Sequence, residues 1–240
     1  YAFNRAKMLN GQAATFQKFS GGTNLYLPSD LDGKTQPPAG APNYFYTFKD
    51  NSFTPHGGGA DRIEVRAFHV DWVTPANSTF TLINSINIAP FTYTVCGFFN
   101  FNCVKQNGTT VRVDALSEWP MFRFPYRNFG TRQSLVGTFV VGGGLGQVGA
   151  AIRWFELRNT GSGWRLYQQG AFDPGDGNDR FMPSIAMDGV GNIALGYSVS
   201  STAMHPAIRY TVHRIGDAPG TMLPEATMVA GGGSQTGSNR

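Results

Sequence analysis

The chain has 240 residues, of which 14% are charged and 13% are aromatic, a balance that excludes a disordered polyelectrolyte and favours a packed β protein. Its net charge of +4 comes from 19 basic and 15 acidic residues, scattered without a basic run, so no nucleic-acid footprint is expected. No run of about 18 apolar residues occurs, so no membrane-spanning helix is expected in this segment.

The 31 glycines and 14 prolines fall mainly between short apolar runs, and they divide the chain into strand-sized pieces. Residues 1–20 read as a half unit: a strand over 1–8, a turn at Leu9-Asn10-Gly11, and a strand over 14–19. Arg5 to Leu9 has the look of a helical turn that Gly11 stops. Residues 21–88 read as a full unit with strands over 25–31, 44–49, 62–71 and 79–88. In Arg62-Ile63-Glu64-Val65-Arg66-Ala67-Phe68, alternation puts Ile63, Val65 and Ala67 on one face, as a half-buried strand requires. Residues 89–113 form an insertion that carries both cysteines. The next unit, 114–172, places strands over 121–129, 134–141, 150–158 and 164–172. The last, 173–230, places them over 182–188, 193–200, 207–214 and 224–229, and a Gly-rich tail occupies 231–240.

The third strands of these units share a character: Ile63, Ile152 and Ile208 each stand among alternating polar and apolar residues. Repeated four-strand units joined by turns are the sequence trace of a β-propeller. The expected fold is therefore all-β, a propeller of four-stranded antiparallel blades, with about three and a half blades in this chain. A chain starting mid-blade is expected to be a fragment. The inner strands of its half blade would come from chain beyond Arg240 or from a second copy.

Cys96 and Cys103 lie close together with no other cysteine and no nearby histidine, so a zinc site would lack ligands. A local disulfide is expected, which implies an oxidising, extracytoplasmic compartment; two reduced thiols are the alternative.

In Ser184-Ile185-Ala186-Met187-Asp188-Gly189-Val190-Gly191-Asn192, the spacing resembles the Asp-box hairpin of sialidase-like propellers. There Asp188 would accept hydrogen bonds from turn amides, while Gly191 and Asn192 supply left-handed conformations. A wider set includes Leu25-Tyr26-Leu27-Pro28-Ser29-Asp30-Leu31-Asp32-Gly33, Asp114-Ala115-Leu116-Ser117, Tyr126-Arg127-Asn128-Phe129-Gly130 and Ile152-Arg153-Trp154-Phe155-Glu156-Leu157-Arg158. Together with the tail from Gly233, it is similar to a family of secreted bacterial propeller proteins. That resemblance implies a propeller in a large extracellular or cell-surface protein. The family pattern has Asp-Arg after Asp-Ala-Leu-Ser, where this chain has Glu118-Trp119.

Arg123, Arg127 and Arg180 recur near the starts of units, and their guanidinium forks suit an anionic ligand in a central channel. Salt bridges to Asp114, Glu118 or neighbouring blades are the competing reading. Asp173, Asp176 and Asp179 crowd three carboxylates into a Gly-rich turn, which suits Ca²⁺. Glu118, Glu156 and Tyr126 are available for glycosidase chemistry, but no spacing selects them. His56, His69, His205 and His213 show neither triad nor metal spacing. Asn77 and Asn107 begin formal glycosylation sequons.

The expected function is an extracellular binding, adhesion or scaffold module with a protein or glycan partner at the cell surface. A sialidase-like carbohydrate-active hydrolase is the alternative. A third reading is a structural subunit of an extracellular assembly, with Phe98, Phe99 and Phe101 forming an interface.

Overall fold

The computed structural model describes residues 1–20, 24–53, 58–97, 100–143 and 149–237. Among these residues the fold is all-β, built from three antiparallel sheets and one small ribbon. The ribbon pairs β1 (Ala2–Phe3) with β2 (Phe16–Gln17) around helix α1 (Arg5–Leu9). The strand expected over residues 1–8 therefore ends at Phe3. Asn4 then caps the helix, its Oδ1 accepting the Lys7 amide at 3.2 Å.

The first sheet has the order β3 (Leu27–Pro28), β5 (Asn43–Lys49), β6 (Arg62–His69), β7 (Thr79–Asn87). The second runs β8 (Pro125–Asn128), β9 (Gln133–Gly142), β10 (Ala150–Asn159), β11 (Arg165–Phe172), with β4 (Asp30–Leu31) added in parallel beside β8. The third runs β12 (Asp179–Met187), β13 (Ile193–Ser201), β14 (Met204–His213), β15 (Ala226–Val229). Ile63, Ile152 and Ile208 all stand on third strands, β6, β10 and β14. They differ in burial, because Ile63 and Ile152 are fully buried while Ile208 lies on an open face.

Several expected strands are shorter than read, among them those over 1–8, 14–19, 62–71 and 224–229, and two more are broken. The run over 25–31 breaks at Ser29, whose amide still bonds Tyr44 O, and its halves join different sheets. Of the run over 121–129 only Pro125–Asn128 is strand, with Met121 making an isolated bridge to Thr138. Pro125 opens β8, a position where the missing N–H costs no ladder bond.

Alternation explains how the sheets stack. On β9 and β10, Leu135, Phe139, Val141, Ala151, Phe155 and Leu157 face the first sheet and meet Tyr44, Tyr46, Phe48, Ile63 and Val65. The opposite face turns Val136, Ile152 and Trp154 toward Ile185, Ile193, Leu195 and Tyr197 of the third sheet. The middle sheet is thus buried on both faces, and its central strands read as near-continuous apolar runs.

Candidate functional site

Of the segment expected as a long connection over 89–113, Phe91 and Tyr93 join the cluster between the first and second sheets, while Val95, Cys96, Cys103, Val104 and Val113 pack with residues of the second and third sheets. Val104 and Val113 exchange backbone hydrogen bonds at 3.0 and 3.1 Å. Their side chains are buried with Val140, Ala150 and Phe181. Cys96 and Cys103 form the expected disulfide, with Cα atoms 5.0 Å apart, and pack against the same cluster. Phe98 and Phe99 lie outside the described residues, as does His56, and Phe101 is half-buried. Ser200 Oγ donates to Lys105 O at 2.7 Å, tying the segment to β13. Its far side is held by the tail. The Gln106 side chain donates to Gln235 O at 2.9 Å and accepts the Gln235 amide at 2.7 Å.

Beside the disulfide lies a cleft of about 140 Å³ lined by Val95, Cys103, Lys105, Arg112, Asp179 and Ser201, together with Gly149, Gly177 and Thr202. Because Val104 faces Val113 and both point inward, Lys105 stands opposite Arg112 on the outward side of the bridge. Neither cation has a salt-bridge partner among the described residues, although both act electrostatically on Asp179. Asp179 Oδ1 accepts the Ala150 amide at 2.8 Å. Burial pushes this carboxyl above the ordinary range, against the backbone N–H groups of Ala150 and Lys105 and the charges of Lys105 and Arg112. Ser201 Oγ accepts the Ala203 amide at 3.2 Å, which leaves its O–H to donate. The cleft thus combines two cations, one desolvated acid and hydroxyl groups. That is a set suited to binding a polar, charged ligand.

The arginines singled out by the sequence are each engaged elsewhere. Arg123 pairs with Asp30 and with Asp32, the latter at 2.5 Å, rather than with Asp114 or Glu118. Arg127 donates to Met187 O at 3.1 and 2.8 Å. Arg180 is fully buried and forks onto Asp176 at 2.9 and 2.8 Å and onto Glu225 at 2.9 and 2.8 Å. Glu225 also accepts from Tyr197 Oη at 2.6 Å and from Arg209. Burial works against its charge, but the bonds from Arg180, Tyr197 and Arg209 hold its carboxyl down at about 2.

The three aspartates expected to bind Ca²⁺ have separate roles. Asp173 caps its own turn through the Gly175 amide at 2.9 Å, Asp176 is clamped by Arg180, and Asp179 lines the cleft. Among the described residues no group of three or more His, Cys, Asp or Glu could hold a metal ion. Tyr126 and Glu156 lie on opposite faces of the second sheet. Tyr126 packs in the cluster facing the first sheet, its Oη donating to Gln133. Glu156 is fully buried under Ser134, Arg158 and Gln168. His213 packs on Trp154 with its Nδ1 against Thr221 O, and His205 meets Ser234.

Asp188 Oδ1 accepts the amides of Val190, Gly191 and Asn192 at 2.8 to 2.9 Å. Only Gly191 of the expected pair is left-handed, at φ 105°. Asn192 instead uses its side chain, donating to Asp188 and accepting the Ile215 amide.

Lys105, Arg112, Ser201 and Thr202 carried no sequence motif. The available signal was the short pair Val104-Lys105 and Arg112-Val113 about the Asn107-Gly108 turn, a hairpin pattern that places both cations on one side. Comparison with protein-family models and with curated protein sequences finds no match for the chain. Among the described residues no helix is long and apolar enough to cross a membrane.

Proposed function

We propose that the chain is a β-propeller segment of a secreted or surface protein, and that it acts as a binding module through the cleft beside the disulfide. The observation that carries this reading is the face-to-face stacking of three antiparallel four-strand units in the same strand order. The Cys96–Cys103 disulfide supports an extracytoplasmic location. Further sheets would stack on the outer face of the first sheet, where Phe45, Phe68 and Phe80 pack edge to face, and on the open face bearing Ile208 and Tyr210. The same polypeptide or a second copy would supply them, with a protein or glycan as the partner at the cell surface.

A structure of the longest natural polypeptide containing these residues tests the architecture. Sheets arranged radially about a central axis are expected, and a linear stack without an axis would overturn the reading. Catalysis is tested with fluorogenic glycosides, a sialoside among them. No turnover is expected, because Arg123, Arg127 and Arg180 are already engaged. Turnover abolished by Arg127→Ala would establish the hydrolase instead.

A further inference from the structure

We infer that the cleft beside the disulfide takes a small carboxylate that also carries hydroxyl groups, such as a single acidic sugar or a hydroxy acid. The inference rests on the binding-module reading and names its ligand class. Lys105 and Arg112 flank the isolated Val104–Val113 bridge on its outward side, and among the described residues neither has a salt-bridge partner, so their like charges repel. A bound carboxylate removes that repulsion, with the Arg112 fork and the Lys105 ammonium donating to its two oxygens.

Asp179 decides what else the ligand must offer. Among the described residues it is the single acid lining the cleft, desolvated and near both cations. Toward a dianion it is repulsive, which disfavours phosphate. Toward a hydroxyl it is an acceptor, and Ser201 on the same wall supplies a donor. The titratable groups facing the ligand are Lys105 and Arg112 from the packed segment and Asp179 from β12. Val95, Cys103, Ser201, Thr202, Gly149 and Gly177 complete the lining among the described residues without charge. At about 140 Å³ the space suits one ring or a short acid rather than an extended chain.

The test is calorimetric titration of the full chain with three probes: D-galacturonate, D-galactose and inorganic phosphate. Galacturonate should bind, and galactose and phosphate should bind about tenfold or more weakly, since each lacks or mismatches one half of the site. Lys105→Gln and Arg112→Gln should each weaken galacturonate by about tenfold or more, with unchanged amide spectra outside the cleft. Asp179→Asn keeps an acceptor for the Ala150 amide and should abolish the discrimination against phosphate. Galactose binding as tightly as galacturonate, or galacturonate affinity unmoved by either cation replacement, would overturn the inference. Either failure leaves the radial arrangement of sheets untouched, and a linear stack of sheets would not alter the titration.

Discussion

With its side chain fully buried, Arg180 serves Glu225 and Asp176 at once, while Arg209 and Tyr197 also donate to Glu225. Arg180→Ala breaks two pairs of a buried cation but leaves Glu225 with Arg209 and Tyr197, so it should cost about 3 kcal/mol by urea unfolding, the lower end for a broken buried pair. Asp176→Asn should cost less, because that partner is 37% exposed. The pH dependence follows from Glu225. Its carboxyl is held at about 2 in the fold against an ordinary 4.5, so the stability it contributes is complete above 4.5 and is lost as pH falls toward 2. Melting temperature should therefore drop between pH 5 and 2.5, and the drop should be shallower in Glu225→Gln. Arg180 was legible in the sequence as an arginine near the start of a unit, but its partner Glu225 lies 45 residues away in the chain. Nothing in local spacing marks a pair made by folding the third sheet.

Strands with clean alternation were legible element by element: β6 lies where Ile63 and Val65 alternate with Arg62 and Glu64. The run over 25–31 was misread because its apolar residues serve two sheets. Leu27 belongs with β5 while Leu31 belongs with β8, so a continuous apolar run hides a corner at Ser29. The cleft was illegible for a related reason, since Lys105 and Arg112 meet Asp179 and Ser201 only through packing between sheets. Gly137 on β9 shows the same tertiary control. It lies opposite Phe155, and a Cβ there would sit 2.3 Å from that ring. Gly137→Ala should lower stability by about 1–3 kcal/mol through overpacking between the first two sheets. Gly196 on β13 has open space at the same distance range. Gly196→Ala should change stability by about 0.5 kcal/mol or less, and denaturant midpoints of the two variants provide the comparison.

At the scale of the whole molecule, stability should be graded outward from the middle sheet. Nearly every residue of β9 and β10 is buried, whereas all four of β15 are exposed and β1 pairs with β2 at two positions. Amide hydrogen exchange should be slowest in β9 and β10 and fastest in β1, β2 and β15. Uniform protection across the three sheets would contradict this gradient. Reduction of Cys96–Cys103 should leave the gradient in place while raising exchange at Val104 and Val113, the hairpin that the disulfide adjoins.

The corner at Ser29 also governs how the protein is made. Leu31 pairs with Tyr126, so on the ribosome β4 emerges about 95 residues ahead of its neighbour. At about 5–20 residues per second, that leaves the strand unpartnered for roughly 5–20 seconds. During this interval Asp30 and Asp32 flank Leu31 without Arg123 to neutralise them. Their two negative charges disfavour capture of the waiting edge by another nascent chain, and Arg123, arriving with the correct strand, pairs with both and offsets one of the two.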